Sequence, residues 1–534
     1  GEIFVQNVQL WHFDAPKLYT FRLYTKIDDK IRDIYETSIG FRKFEICGCN
    51  FVFNGEKVEL VGTEWMPGSD PRIGNAERPE DIARYLQILK ESNCVYTRVH
   101  WQQDESFYQW CDMHGILVQE EVPLWGQPNE PAHNVLEVVK AQFKEMMESH
   151  YNHPSIMFWG ISNEILIGGI SQELVDCHHD LQRLCKELDP TRLTTIAHVS
   201  FTPVSGPMHH ITDVESYNHY FGWYGGKIED NAPWLDKFHA DNPDICIGVS
   251  EYGCEGIINW HSNKPQCKDY TEEYQALYHE HMAQVFEDRP WIWSSHVWNM
   301  FDFGCAARNE GGVRGRNNKG LVTIDRKTRK DSFYVYQAYW SKEPMVHIAG
   351  RRHAQRAGET TEVKIYSNQD SVTLYCNGKK VGTKTEHRIF HFTVTLDEGI
   401  NILLAVTDKV KDSITLEKVE KEPDSYTLPE FNERQEGVAN WFKQMGSLDL
   451  KAPMEFPEGF YSVRDTMEEI SKNEEALEIT SKALKLATNF DIKPGIGMWD
   501  MLKTMKPEAM TNMISGIQDG FIESLNARLI KIKK

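Results

Sequence analysis

What this 534-residue chain lacks narrows its class. No run of about 18 apolar residues occurs, so no membrane partner is expected. Positive charge is in deficit: 58 Lys and Arg stand against 79 Asp and Glu, a net charge of −21. That balance argues against a nucleic-acid partner as well as an anionic membrane. Cysteines number 11, an odd count, and no CxxC pair exists. Reduced thiols in a cytoplasmic protein are the expectation. No secretory signal pattern, internal repeat or low-complexity tract stands out. No His and Asp cluster has ligand spacing, so no metal is expected.

What is there is length enough for three or four domains and a large core. Aromatics are plentiful, with 15 Trp and 21 Tyr, which suits either large cores or a site that stacks on sugar rings. Residues 1–46 read as short strands with turns, the tail of a β-sandwich too short to stand alone. From 47 the pattern changes to apolar strand runs alternating with amphipathic stretches. The runs are 58–65, 94–101, 115–123, 156–165, 193–199, 214–220, 245–253 and 292–303. Between them Ile82, Tyr85, Leu86 and Leu89 mark one helix, Val135 to His150 another. A third begins after Ser171 as its N-cap and runs to Leu188 before Asp189-Pro190. The pair His178-His179 within it is read as surface. Eight strand–helix units in residues 47–342 fit an α/β fold, a (β/α)8 or TIM barrel with a parallel sheet buried on both faces. From 343 to 420 the period returns to two. Asn377-Gly378 is a strong two-residue hairpin signal there. Residues 421–534 turn polar and partly helical and carry no recognisable chemistry.

Active groups of such barrels sit at the C-terminal ends of the strands. Glu164 closes the fourth run and Glu251 the seventh. Two carboxylates across one pocket are the minimum apparatus for glycoside hydrolysis: one donates a proton to the leaving oxygen, the other attacks or activates water. Different environments must hold their pKa values apart. The amide of Asn163 offers both donor and acceptor to a sugar hydroxyl.

The stretches FWGISNE, VSEYG, CDMHGILVQEEVP and HVWNMFDF resemble glycoside hydrolase family 2, which holds β-galactosidases, β-glucuronidases and β-mannosidases. SIGFRKFEI resembles that family's junction between an immunoglobulin-like β-sandwich and the barrel. GLVTIDRKTRKDSFYVYQAYW resembles its barrel exit. The resemblance implies that Glu164 is the acid/base and Glu251 the nucleophile of a retaining double displacement, with carboxyl groups about 5–5.5 Å apart. It also implies sugar contacts for His100, Tyr220 and Trp298, with the Tyr220 phenol positioning Glu251. Glu121 is a weaker contact that suits a structural role equally well.

The family's N-terminal jelly-roll domain and the first part of its sandwich are not in this sequence. Its usual Arg-His-Glu cluster on the first strand reads GTEWMPGSDP here, so Glu64, Trp65 and Asp70 stand as replacement contacts. Asn317 and Lys319 resemble the Asn-x-Lys by which family glucuronidases bind a sugar carboxylate, and Arg314 and Arg316 make that loop basic. Similar strings also occur in galactosidases of the family. The leading expectation is therefore an exo-β-galactosidase, with β-glucuronidase second and an inactive fragment or carbohydrate-binding protein third. Some gut glucuronidases resembling this family bind a flavin through C-terminal regions. Residues 421–534 show no phosphate-binding glycine pattern, so no cofactor is expected. A homo-oligomer is compatible with everything above.

Overall fold

Strand runs buried at every position, such as Ile156–Asn163 and Leu193–Val199, demand a sheet covered on both faces. A computed structural model of the chain, described over residues 4–68, 72–125, 132–165, 171–200, 202–428, 454, 456–488, 492–495, 499–511 and 521–534, supplies it. Eight parallel strands close into a barrel in sequence order. They are β1 (Leu60–Glu64), β2 (Tyr96–Val99), β3 (Leu117–Glu121), β4 (Ile156–Asn163), β5 (Leu193–Val199), β6 (Val214–Asn218), β7 (Ile247–Tyr252) and β8 (Ser294–Val297). Each falls within one of the eight apolar runs.

The helical layer is α1 (Pro79–Glu91), α2 (Glu105–His114), α3 (Ala132–His150), α4 (Gln172–Leu188), α5 (Asn231–Asp241), α6 (Glu272–Glu287) and α7 (Asp331–Trp340). The Ser171 hydroxyl caps α4 by accepting from the Leu174 N–H at 3.2 Å. The count corrects the expected eight strand–helix units. No helix is described between β5 and β6. That segment carries Pro203, Gly206 and Pro207, which break a helical run. A second correction concerns His178. It is buried, with its Nε2 2.8 Å from the Ser162 hydroxyl and its Nδ1 2.7 Å from the Leu174 carbonyl. It lies one turn from Leu174 and from Leu181 on the inward face of α4, whereas His179 is exposed.

Phe44, Phe51 and Phe53 pack with Trp11, Phe158 and Trp293 beneath the barrel. The hairpin Tyr19–Ile27 with Lys30–Ile39 projects from there, exposed along almost all of its length. Strands from Val346 to Val419 form a three-stranded and a five-stranded sheet over one apolar core. Asn377 and Gly378 both take positive φ, 51° and 76°, and join two of those strands as the two-residue turn expected. C-terminal helices, chiefly Glu474–Thr488 and Phe521–Leu529, share a core with Ile165, Leu174, Val175, Ile196, Met208 and Ile211. They cover the side of the barrel that has no helix of its own. No helix among the described residues is long and apolar enough to cross a membrane.

Candidate active site

Arg98 organises the mouth of the barrel, and sequence reasoning passed over it. It lies on β2 and is fully buried. Its Nε donates to Glu121 Oε1 at 2.6 Å and its Nη2 to Glu121 Oε2 at 3.0 Å. Its Nη1 donates to Glu64 Oε1 at 2.6 Å and to Glu251 Oε1 at 3.0 Å. Its Nη2 also donates to Asn163 Oδ1 at 2.8 Å. One planar fork thus ties the ends of β1, β2, β3, β4 and β7 together. A signal was available: a charged residue inside an apolar strand run, two positions from His100 and so on the same face of the strand.

Gly160 explains part of FWGISNE. A Cβ there would stand 2.0 Å from Glu121 Cγ, so only glycine on β4 leaves room for the Glu121 side chain on β3. Beyond it, Asn163 Oδ1 accepts from both Arg98 and Asn218 Nδ2, the latter at 2.9 Å. Asn218 is itself held by the Ser250 hydroxyl, which donates to its Oδ1 at 2.7 Å. Those bonds fix the Asn163 amide, so only its NH2 group remains to meet a sugar. Asn163 therefore offers a donor and not the donor–acceptor pair expected from its residue type. Glu164 follows in the left-handed region, φ 52°, a conformation that costs a non-glycine residue about 1–2 kcal/mol and turns the chain sharply at the strand end.

The two glutamates sit in different electrostatic surroundings. Burial, then the charge of Glu251, pushes Glu164 up to about 7. Burial and Glu64 raise Glu251 too, but Arg98, His100 and the Tyr220 hydroxyl favour its anion. That hydroxyl donates to Glu251 Oε2 at 2.7 Å. Burial also pushes Glu64 up to about 8 against the pull of Arg98. One guanidinium cannot balance four buried carboxylates. Burial thus favours the protonated forms of Glu64 and Glu164, while Arg98 offsets part of the burial at Glu251.

His100 is buried, with its Nε2 3.0 Å from Glu64 Oε2 and 3.6 Å from Glu251 Oε1. Burial and Arg98 lower its pKa, which keeps the ring neutral. Trp298 is partly exposed and meets His100 edge-on, ring centroids 5.2 Å apart. The remaining sequence candidates divide between the Arg98 cluster and the core. Glu64 and Glu121 are buried at the barrel mouth as partners of Arg98, and Glu64 Oε2 has no hydrogen bond among the described residues. Trp65 packs in the core against Tyr85, Phe107 and Phe301. Asp70 lies outside the described residues.

A cationic corner adjoins this cluster. Lys319 is fully buried, and its ammonium donates to the Tyr224 hydroxyl at 2.6 Å and to Glu255 Oε1 at 3.0 Å. Arg308 Nη1 donates to Tyr224 at 3.0 Å and to Glu310 Oε2 at 2.7 Å. Lys268 Nζ stands 4.0 Å over the Trp223 ring and 4.9 Å over that of Tyr224. Three cations against Glu255 and Glu310 leave one positive charge in excess. Asn317 Oδ1 accepts from the Lys319 backbone N–H at 3.0 Å, while its buried Nδ2 has no partner among the described residues. Tyr220 and Tyr224 pack with ring centroids 5.1 Å apart, so this corner abuts the residue that holds Glu251. Arg314 is exposed and Arg316 half-buried, and neither is among these bonds. Tyr224, Glu255 and Arg308 escaped sequence reasoning because they come together only through the fold.

The chain as a whole is similar to known proteins. The family model described as "Glycosyl hydrolases family 2, TIM barrel domain" matches residues 44–343, and "Glycosyl hydrolases family 2" matches residues 2–42. A domain of unknown function matches residues 358–409. A beta-glucuronidase of Bacteroides fragilis is 32% identical over 442 residues, covering 79% of this chain and 63% of the relative. Beta-galactosidase BoGH2A of Bacteroides ovatus is 25% identical over 440 residues, covering 72% of this chain and half of the relative. The crystal structure of an FMN-binding beta-glucuronidase from F. prausnitzii L2-6 superposes with a TM-score of 0.78 at 66% identity, covering 80% of this chain and 66% of that one. The chain thus spans less than two thirds of the length of these curated relatives.

Proposed function

The chain belongs to glycoside hydrolase family 2, and from that premise we propose that it is a retaining exo-β-glucuronidase. The observation that carries the reading is the buried Lys319 corner, with one positive charge in excess and the Asn317 amide N–H unpaired beside it. A sugar carboxylate supplies both the missing anion and the missing acceptor. A neutral galactoside supplies an acceptor through a hydroxyl but no anion. The names of the relatives point the same way, so the galactoside expectation gives place to its alternative. BoGH2A keeps β-galactoside as the second reading.

In this reading Glu251, held by Arg98 and Tyr220, attacks the anomeric carbon. Glu164 gives its proton to the departing glycosidic oxygen. A glycosyl ester on Glu251 results. Glu164, now ionised, takes a proton from water as that water attacks the anomeric carbon, which frees Glu251 and retains the configuration. Asn163 donates to a sugar hydroxyl, and Trp298 with His100 walls the ring.

Chromogenic β-glucuronide and β-galactoside, assayed side by side, test this. Glucuronide turnover is expected, with Glu251→Gln abolishing it. Lys319→Met should lower glucuronide kcat/KM by about a hundredfold or more, the cost of a buried charge left unpaired, and leave any galactoside rate unchanged. Galactoside turnover that is indifferent to Lys319 would install the second reading. No turnover of either would favour an inactive piece of a longer protein. The F. prausnitzii neighbour is described as FMN-binding. Flavin released from this protein on denaturation would overturn the expectation of no cofactor.

A further inference from the structure

The barrel has a gap in its helical layer between β5 and β6, and the gap is filled by polar chemistry. Strand alternation sends Ser216 and Asn218 of β6 toward the barrel interior, so Glu215 and Tyr217 face out. His198 of β5 stands beside Tyr217 in register. The crossing segment, residues 202–213, lies over them. Its Met208 and Ile211 join the apolar core of the C-terminal helices, while His209 turns to the barrel. His209 Nδ1 meets Glu215 Oε2, and His198 Nε2 approaches the same oxygen at 3.3 Å. All three side chains are buried, and one nitrogen of each ring and one carboxylate oxygen lie within 4.8 Å of one another.

The tautomer of His209 decides what this trio is for. Its Nε2 lies 2.8 Å from the Pro203 carbonyl, which only accepts, so Nε2 carries the hydrogen. In the neutral ring Nδ1 then aims a lone pair at a carboxylate. The carboxylate is itself aimed, because its other oxygen accepts from the His210 N–H at 2.7 Å. Nδ1 of the neutral His209 ring and Glu215 Oε2 then face each other as acceptors, and His198 Nε2 converges on the same oxygen, a geometry in which the three can surround a cation. Two imidazoles and a glutamate are a zinc donor set, and a carbonyl on the far nitrogen of a ligating His is the outer contact that fixes such a ring.

We propose that His198, His209 and Glu215 bind a divalent transition ion of the zinc type, which clamps the β5–β6 segment to the barrel where a helix would otherwise lie. The site is separate from the glutamate pair and does no chemistry on the sugar. The test uses the full chain, free of any histidine tag and purified without chelator. Elemental analysis should find about one zinc per chain. Stripping it should lower the Tm, and Zn2+ or Co2+ should restore it, Co2+ with the visible absorption of a nitrogen- and oxygen-bound ion. His209→Gln should lose the metal while its circular dichroism remains that of the parent. Should that variant not fold, Co2+ titration of the stripped parent decides alone. A parent without stoichiometric metal and without a Tm response to Zn2+ or Co2+ would overturn the proposal, leaving a proton between His209 and Glu215. Retention of the metal by folded His209→Gln would overturn it equally.

Discussion

Arg98 shows how a single side chain can set a site. Four glutamates surround it, and three of them take its hydrogen bonds. Removing one partner of a buried ion pair typically costs about 3–5 kcal/mol, because the remaining charges stay buried without compensation. Arg98→Met should therefore lower the unfolding free energy by that order, read from the denaturant midpoint. Arg98→Lys should recover part of it, since the charge returns without the fork. The proton on Glu164 predicts a pH limb. Its pKa is raised to about 7, so the group is a competent acid below that value and loses its proton above it. The rate of glucuronide release should fall as pH rises through about 7, and a basic limb that lies far higher would break the link to Glu164. With Glu164→Gln that limb should vanish along with most of the rate.

At the scale of elements, α4 and the segment after β5 make the contrast. Ser171, an apolar stripe and a Pro after Leu188 describe α4 completely, and its hydroxyl cap is the one expected. Ser171→Ala should cost about 1 kcal/mol, seen as a lower denaturant midpoint, because the first turn loses an acceptor for its N–H groups. A change near zero would mean that packing alone holds the start of α4. The regular barrel pattern around the segment after β5 predicts a strand–helix unit there. Pro203, Gly206 and Pro207 overrule that pattern locally. His178 is the converse case. Residue type placed it at the surface, but helical phase places it inward beside Ser162.

For the molecule as a whole, the C-terminal helices are part of the barrel's envelope. Their core includes Ile165, Leu174, Val175, Ile196, Met208 and Ile211 of the barrel side. Each such aliphatic side chain gains about 1.5–3 kcal/mol from burial. A chain ended after residue 428 should therefore melt at lower temperature and bind a hydrophobic dye at its newly bared face. An unchanged Tm would show that the helices rest on the barrel without stabilising it.

The linear sequence by itself determined the barrel, the hairpin at Asn377-Gly378 and the candidate pair Glu164 and Glu251. Those features depend on period, turn chemistry and strand ends, which neighbouring residues encode. Tertiary structure alone decided which carboxylates share Arg98. It alone brought Tyr224, Glu255, Arg308 and Lys319 into one corner. It alone set His209 against Glu215. Charge balance and desolvation act between residues far apart in the chain, and they have no local signature to read.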